Sequence, residues 1–168
     1  MNIVDAFVYC IKCGAPTINE GLVRECPKCK LIRYIGPYPA TGALITERNK
    51  LLLVKRGGEP AKDTWDLPGG FIKPVESAEE SIRREIKEEL GVNVVKIEYF
   101  NSKYDRYEYS GVEDFIFVVN FKVEIEKTEI ECQDDISDYK YFDLSKIPYN
   151  EIYFPSIIET IKELIRLQ

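Results

Sequence analysis

The segment from Ser77 to Gly91 carries signals for both of its ends, which makes it the most constrained stretch of the sequence. Ser77, followed three residues later by Glu80, matches a capping box, in which each side chain binds the backbone N–H of the other residue. Gly91 stands where a left-handed C-terminal cap is expected. At about 100° per residue, one side of the segment is apolar: Ala78, Ile82, Ile86 and Leu90. The sequence therefore predicts an amphipathic helix over residues 77–90.

Three glutamates, Glu85, Glu88 and Glu89, crowd the end of this predicted helix. Like charges at i,i+4 destabilise a helix by roughly 0.2–0.5 kcal/mol, and carboxylates at the border of an apolar face also lose hydration. A solvated charged face is the alternative interpretation, but it explains this placement poorly. Clustered carboxylates without a nitrogen or sulfur donor favour a hard cation, Mg²⁺ or Mn²⁺. Arg84, four residues before Glu88, can hold a carboxylate in a bidentate pair.

Length, composition and charge limit the classes of protein that this chain can belong to. With 168 residues and 45% hydrophobic content, it can form one domain of ordinary size and a small satellite. A formal net charge of −6 argues against a surface built as a whole for nucleic acid or an anionic membrane. The absence of histidine excludes imidazole as a base or metal ligand. Since we find no signal-peptide pattern and no apolar run of membrane-spanning length, we expect a soluble, cytoplasmic protein.

Four of the five cysteines form two C-x-x-C knuckles, Cys10/Cys13 and Cys26/Cys29. This spacing is typical of four thiolates around one tetrahedral Zn²⁺, so residues 1–35 are predicted to form a small zinc ribbon. A disulfide pair is the alternative, which a reducing compartment disfavours. A redox C-x-x-C is a third interpretation, but neither knuckle follows the pattern of a strand-to-helix turn.

The predicted ribbon is locally basic in an otherwise acidic chain. Its cationic residues are Lys12, Arg24, Lys28, Lys30 and Arg33. A phosphate-facing surface and an ordinary solvated face both explain these residues. Binding of nucleic acid through the ribbon therefore stays open, although the net charge of the chain disfavours it. The fifth cysteine, Cys132, stands alone and is predicted to be a small buried apolar residue.

Strand patterns dominate the rest of the chain, after a glycine- and proline-rich linker at residues 34–42. Two strand-like runs around the turn at residues 47–50 predict a hairpin. Three further runs with strand character follow the predicted helix: 92–100, 107–125 and 139–144. The C-terminal residues 156–168 have apolar side chains at helical spacing and predict a second packed helix. These elements together indicate an α+β or three-layer domain.

The stretch Gly70–Val92 resembles the Nudix box, whose pattern is G, five residues, E, seven residues, R-E-U-x-E-E-x-G-U, with U a bulky aliphatic residue. Every fixed position is met: Gly70, Glu76, Arg84, Glu85, Ile86, Glu88, Glu89, Gly91 and Val92. The lead-in "TWDLPGG" and the later "YKYFDLSKIP" are also similar to the family. The resemblance implies a Nudix α/β/α sandwich with a mixed sheet over residues 36–168.

The resemblance also implies a reaction, in which water attacks one phosphorus of a nucleoside diphosphate linked to another moiety. Glu85 and Glu89 are then expected to ligate Mg²⁺ or Mn²⁺ together with the backbone carbonyl of residue 69 or Gly70. Glu88 is expected to ligate a further ion or to assist the water. Arg84 is expected to pair with Glu76 and to orient the helix against the preceding loop.

Members of the family often supply one more carboxylate from a distant loop. In "ECQDDISDYKYF" the candidates are Asp134, Asp135 and Asp138, and we favour Asp135 as a further metal ligand, with an acidic loop residue of no such role as the alternative. Lys55 and Arg56, at the end of an early predicted strand, are candidates for binding a substrate phosphate. An ordinary surface pair explains these two residues equally well.

A four-cysteine ribbon before a Nudix domain resembles the NADH pyrophosphatase branch of the family. That branch carries the motif S-Q-P-W-P-F-P-x-S after its box, whereas residues 99–115 of this chain, "YFNSKYDRYEYSGVEDF", contain neither proline nor tryptophan. ADP-ribose or a related ADP-linked compound is therefore the leading expected substrate, and NAD(H) is the second. A nucleotide-sensing or nucleic-acid-associated binding protein is the alternative from another class, and the resemblance is compatible with a homodimer.

Overall fold

The computed structural model describes residues 2–167, apart from the side chain of Tyr109. The chain divides into two compact units. The smaller unit contains the residues up to Tyr38 together with Arg106–Ile116, and the larger contains Pro39–Asp105 and the residues from Phe117 onward. Within residues 2–167, no helix combines the length and apolar character needed to cross a membrane.

The smaller unit contains a short helix and a three-stranded antiparallel sheet. Helix α1 is Ile3–Ala6, and the strands are β1 (Ile18–Glu20), β2 (Val23–Glu25) and β3 (Ile32–Tyr34), in the order β1-β2-β3. Arg24 of β2 is 3% exposed. Its guanidinium donates hydrogen bonds to the carbonyl oxygens of Val4, Phe7 and Gly21. This buried arginine therefore ties the N-terminal segment to the sheet.

The larger unit is organised by a second, six-stranded sheet. Its strands are β4 (Tyr38–Glu47), β5 (Lys50–Arg56), β6 (Trp65–Asp66), β7 (Val94–Tyr109), β8 (Val112–Ile125) and β9 (Ile136–Asp143). Residues 106–109 of β7 and 112–116 of β8 belong to the smaller unit. The order is β6-β5-β4-β8-β7, and β9 pairs with β5 in antiparallel orientation. The predicted hairpin is confirmed, since Glu47 of β4 pairs with Lys50 of β5 at the expected turn. Strand β7 extends beyond the predicted run 92–100, whereas the predicted run 107–125 contains the end of β7, a turn and all of β8.

Two longer helices and one 3₁₀ turn complete this unit. Helix α2 is Ala78–Leu90, the 3₁₀ turn is Tyr149–Glu151, and helix α3 is Pro155–Arg166. Both predicted end signals of α2 are confirmed, because the reciprocal bonds of the capping box form between Ser77 and Glu80. At the other end, Gly91 adopts the left-handed conformation with φ of 70°. The α+β fold with a mixed sheet agrees with the prediction.

The apolar side of α2 fixes the position of its glutamates. Ile82, Ile86 and Leu90 are fully buried against side chains of the sheet. The core around them includes Ala43, Ile45, Leu52, Val54, Val92, Phe121 and Val123. Burial of one such aliphatic side chain contributes roughly 1.5–3 kcal/mol. The helix is therefore anchored by its hydrophobic side, and the rotation of that side brings Glu85 and Glu89 to the edge of the core.

Cys132 differs from its prediction, because it is exposed. It lies outside the regular elements, between β8 and β9. A single cysteine in a loop has no periodic pattern around it, and only such a pattern would have indicated which way its side chain faces.

Candidate active site

Two glutamates of α2 are buried beside a pair of glycines. Glu85 and Glu89 are 9% and 4% exposed. The Oε2 atom of Glu89 accepts a hydrogen bond of 3.0 Å from the backbone N–H of Gly69. A Cβ atom on Gly70 would lie 2.7 Å from Oε1 of Glu85, and a Cβ on Gly69 would overlap the carbonyl oxygen of Thr41. The lack of a side chain at Gly70 therefore leaves space for the Glu85 carboxylate, and the lack of one at Gly69 permits its close approach to the backbone of Thr41.

Burial raises the pKa of both carboxyl groups. The pKa of Glu89 is well above its ordinary value because burial disfavours the anion, and the charges of Glu85 and Asp135 act in the same direction. The hydrogen bond from Gly69 opposes this shift only partly. Burial also raises the pKa of Glu85, against the opposing effect of Arg84. Both carboxylates therefore lie in a place where a cation would stabilise their charged forms.

Arg84 connects three glutamates of the site. Its Nε and Nη2 atoms contact the two carboxylate oxygens of Glu76 at 2.8 and 2.9 Å, and Nη1 lies 2.7 Å from oxygens of Glu85 and Glu88. The hydrogen bond from Arg84 is the main reason that the pKa of Glu76 falls to about 2 and that the pKa of Glu88 is lowered. The ion pair between Arg84 and Glu76 that the resemblance implied is thus present.

A cleft of about 520 Å³ brings the acidic loop before β9 to the same place as α2. The residues that line it are Gly69, Gly70, Phe71, Ile72, Lys73, Pro74, Arg84, Glu85, Glu88, Glu89, Asp134 and Asp135. The loop is held by the C-terminal turn of α2, since the N–H of Gln133 donates to the carbonyl of Glu89. Asp138 is not among the lining residues and is instead part of β9, paired with Lys55.

Lys55 and Arg56 are engaged in contacts within the protein. Arg56 forms a 3.0 Å ion pair with the buried Asp66, and its guanidinium carbon lies 5.5 Å from the ring centre of Phe154. The ammonium group of Lys55 lies 5.9 Å from the ring centre of Trp65. Neither cation is among the residues that line the cleft. Both candidates therefore have partners within the protein, and their role in binding a substrate phosphate stays a prediction.

Two residues near the site were missed in the sequence. Asp66 is 8% exposed, and burial raises its pKa to about 6 despite the opposing effect of Arg56. Lys73 lies at the cleft, with Nζ 3.3 Å from Oε1 of Glu88. The sequence held one signal for Asp66, a carboxylate flanked by apolar residues in "WDLPGG". Lys73 occupies one of the unspecified positions of the box, which gave no signal.

The four cysteines of the smaller unit converge as predicted. Their sulfur atoms lie within 4.8 Å of one another, with Cys10–Cys29 at 3.6 Å and Cys13–Cys26 at 3.5 Å. A tetrahedral Zn²⁺ with bonds of about 2.3 Å has sulfur–sulfur edges of about 3.8 Å, whereas a disulfide needs about 2.05 Å. The backbone N–H of Cys29 is the main reason that the pKa of Cys26 falls to about 6. The cluster therefore fits a zinc ion. Among the described residues, it is the one group of three or more Cys, Asp or Glu side chains whose ligand atoms all lie within 4.8 Å of one another.

Comparisons of the sequence with known proteins point to one family. The Nudix domain matches residues 36–162. An ADP-ribose pyrophosphatase of Methanocaldococcus jannaschii is 34% identical over 128 residues, which are 74% of this chain and 72% of that protein. The NAD-capped RNA hydrolase NudC of Pseudomonas aeruginosa is 29% identical over 143 residues, 83% of this chain, and the chain spans about half (49%) of the length of that relative.

A solved structure supports the same assignment. The crystal structure of a NUDIX hydrolase from Nitrosomonas europaea is similar to this chain with a TM-score of 0.67 and 26% identity, covering 92% of this chain and 88% of the other. The domain match alone extends over well more than half of the sequence. The chain therefore belongs to the Nudix hydrolase family.

Proposed function

We propose that this protein is a Mg²⁺- or Mn²⁺-dependent pyrophosphohydrolase that cleaves the diphosphate of a nucleoside diphosphate derivative, with ADP-ribose as the leading substrate. One observation carries the proposal. Glu85 and Glu89 are buried with raised pKa values at a cleft that also contains Glu88 and Asp135. A protein that only packed these side chains would gain nothing from burying carboxylates, whereas a cation-binding hydrolase needs them.

The residues that would hold the cation are Glu85, Glu88, Glu89, Asp135 and the carbonyl of Gly70. Their donor set consists of oxygen atoms only, which suits a hard divalent cation. The carbonyl of Gly70 accepts a hydrogen bond of 2.9 Å from the N–H of Thr41, and its second lone pair is available for a ligand bond. When bound, the cation neutralises charge on the diphosphate and lowers the pKa of a water molecule.

The protein itself supplies orientation and proton transfer. Arg84 holds Glu76, Glu85 and Glu88 through a single guanidinium, so one rigid group sets three side-chain positions. One of the carboxylates of the cleft accepts the proton of the water, and the raised pKa values of Glu85 and Glu89 apply to the protein without its cation. Glu88, with its lowered pKa, stays anionic and provides fixed negative charge at the mouth of the cleft.

The substrate proposal depends on relatives and on a sequence difference. The M. jannaschii relative, of which the match covers 72%, is named an ADP-ribose pyrophosphatase. NAD(H) is the second candidate, because NudC is also similar and because a four-cysteine ribbon precedes the Nudix domain here. The absence of the proline- and tryptophan-rich motif from residues 99–115 places NAD(H) behind ADP-ribose.

A substrate panel tests this proposal. The purified protein, with Mg²⁺ or Mn²⁺, is offered ADP-ribose, NADH, NAD⁺ and a nucleoside triphosphate, and the products are separated by chromatography. We expect ADP-ribose to give AMP and ribose 5-phosphate with the highest kcat/KM. A higher kcat/KM for NADH would replace the leading substrate with the second one, and no cleavage of any diphosphate would contradict the proposal as a whole.

We further propose that a structural Zn²⁺ binds Cys10, Cys13, Cys26 and Cys29 and that the ribbon, residues 1–35, precedes a Nudix domain of residues 36–168. The convergence of the four sulfur atoms supports the zinc site. Metal analysis of protein purified without added zinc is expected to give one zinc per chain. Light scattering of the same sample tests the homodimer that the resemblance allows.

A further inference from the structure

The loop that leads into α2 carries a lysine for which the Nudix pattern specifies nothing. Lys73 lines the cleft, and its side chain is 58% exposed. Its ammonium nitrogen lies 3.3 Å from Oε1 of Glu88. Oε2 of Glu88 contacts Arg84 instead, at 2.7 Å. Glu88 would therefore keep one cationic partner if Lys73 moved away.

The backbone at Lys73 is held firmly by the same network. The N–H of Lys73 donates a 2.9 Å hydrogen bond to Oε2 of Glu76, and the N–H of Glu76 donates a 3.2 Å bond to the carbonyl of Lys73. Arg84 donates to that same Oε2 atom at 2.9 Å. The backbone of Lys73 is therefore fixed at the mouth of the cleft, while its exposed side chain can rotate.

The two cations of the cleft differ in how many hydrogen bonds and ion pairs they form within the protein. The side chain of Arg84 is 19% exposed, and its guanidinium is bonded to Glu76, Glu85, Glu88 and the carbonyl of Phe71. Lys73 has Glu88 as its one ion-pair partner within residues 2–167, and exposed ion pairs of this kind are weak. An anionic ligand that binds Lys73 therefore replaces one exposed ion pair, whereas a ligand that binds Arg84 would have to break several contacts within the protein.

A diphosphate that enters this cleft meets a strongly acidic wall. Five carboxylates line the cleft, against the two cations Lys73 and Arg84. The carboxylates belong to Glu85, Glu88, Glu89, Asp134 and Asp135. We propose that Lys73 is a diphosphate-binding residue, which exchanges Glu88 for a non-bridging phosphate oxygen when substrate binds. This proposal rests on the proposed function and adds a substrate contact from a position that the Nudix pattern leaves open.

The test compares Lys73→Gln and Lys73→Arg with a matched control, Lys96→Gln. Lys96 is 60% exposed, pairs with Glu98 and Glu124, and is not among the residues that line the cleft. Calorimetric titration with methylenediphosphonate in Mg²⁺ measures binding of the diphosphate group alone. Since a hydrogen bond to a charged group is worth about a tenfold change in affinity or more, Lys73→Gln should weaken binding at least about 10-fold. The same variant should raise KM for ADP-ribose while kcat changes by less than about threefold.

The controls separate a substrate contact from a structural effect. Lys73→Arg keeps the charge and should retain most of the affinity, Lys96→Gln should bind as the wild type does, and thermal unfolding should be unchanged in all three variants. Diphosphonate affinity in Lys73→Gln equal to that of the wild type would overturn the proposal, as would a wild type that binds no diphosphonate. If the wild type cleaves no ADP-ribose but its diphosphonate binding depends on Lys73, the substrate assignment fails and the role of Lys73 stands.

Discussion

The ribbon and the edge of α2 each gather anionic donors, but they do so differently. In the ribbon, four sulfur atoms lie within 4.8 Å of one another and enclose a single point. At α2, an arginine binds Glu85 and Glu88, while Glu89 accepts a hydrogen bond from the backbone of Gly69. A closed tetrahedral cluster leaves no position for a substrate, whereas an open row of carboxylates beside a cleft does. The comparison fits the proposed structural zinc site in one unit and the proposed catalytic site in the other.

The two sites also differ in what holds the surrounding chain together. The ribbon is a small unit with short strands, so its folding should depend on its ion. Helix α2 is held by Ile82, Ile86 and Leu90 in the apolar core. Removal of the ion should therefore unfold the first region, whereas in the second it should stop activity and leave the fold intact.

Glu89→Gln should have the largest effect on activity. Glu89 is a proposed ligand of the cation, whose stabilisation of developing charge is worth several kcal/mol, so this variant should lose turnover of ADP-ribose by about 10²–10⁴-fold. In metal-free protein the same variant should be more stable than the wild type at neutral pH, because the raised pKa shows that folding disfavours the Glu89 anion. Steady-state kinetics measure the first effect, and thermal unfolding of protein that keeps its ribbon zinc but holds no other divalent cation measures the second.

The matched control for this variant is Glu79→Gln, in the exposed first turn of the same helix. It should leave kcat/KM unchanged. An unchanged rate in Glu89→Gln, or an equal loss of rate in both variants, would contradict the proposal that the edge of α2 is the catalytic site.

Loss of zinc should affect the ribbon strongly. Cys26→Ser removes a sulfur that is fully buried in the cluster, so the zinc content should fall from one per chain to near zero. Limited proteolysis should then cut the first 35 residues while the larger unit persists. A variant that keeps its zinc and its resistance to protease would show that the cluster does not need all four thiols.

Arg84→Lys should have an intermediate effect. Lysine cannot reproduce the two-pronged contact with Glu76 together with the bonds to Glu85 and Glu88. Residues that orient metal ligands typically affect metal affinity or activity by about 10–100-fold, so kcat/KM should fall within that range. Arg83→Lys, on the same helix but outside the cleft, is the control and should retain the wild-type rate.

The pH dependence of stability should show the same network. The folded pKa of Glu76 is about 2, against 4.5 for an unperturbed glutamate, chiefly because of the hydrogen bond from Arg84. The stabilisation is fully present above the unfolded value and is lost as the pH falls through about 2. Denaturant unfolding between pH 5 and pH 2 should therefore show a decline that is reduced in Arg84→Met. If the stability of the two proteins declined in parallel with pH, the ion pair between Arg84 and Glu76 would contribute nothing to stability.

The smallest effect is expected at Cys132. This thiol is exposed, so Cys132→Ser should change the free energy of unfolding by less than about 0.5 kcal/mol. Titration with a thiol reagent should show one rapidly reacting thiol in the native wild type and none in the variant. Several fast-reacting thiols in zinc-loaded protein would indicate that the ribbon cluster is open rather than closed.

Local patterns predicted the parts of the fold that depend on neighbouring residues. Ser77, Glu80 and Gly91 define the ends of α2 through contacts within four residues, and the hairpin of β4 and β5 follows from its turn. The cysteine cluster was also predictable, since its spacing alone indicates four ligands for one ion. The Nudix pattern identified the acidic edge of α2 before any geometry was known.

Contacts between distant residues could not be predicted in this way. Nothing in the sequence shows that Gly70 must lack a side chain because Glu85 occupies that space, or that Asp66 pairs with Arg56. The contact of Lys73 with Glu88 crosses 15 residues and depends on the course of one loop. The roles of Asp135, Lys55 and Arg56 in binding metal or substrate remain predictions.

Binding of Mn²⁺ at the edge of α2 tests most directly the claim that these carboxylates form a cation site. Electron paramagnetic resonance of protein whose ribbon is loaded with zinc measures free Mn²⁺ during a titration of the wild type, Glu89→Gln and Glu79→Gln. We predict that the wild type and Glu79→Gln bind Mn²⁺ with equal affinity and that Glu89→Gln binds it at least about 10-fold more weakly. Equal Mn²⁺ affinity in all three proteins would contradict the assignment of the α2 edge as a cation site.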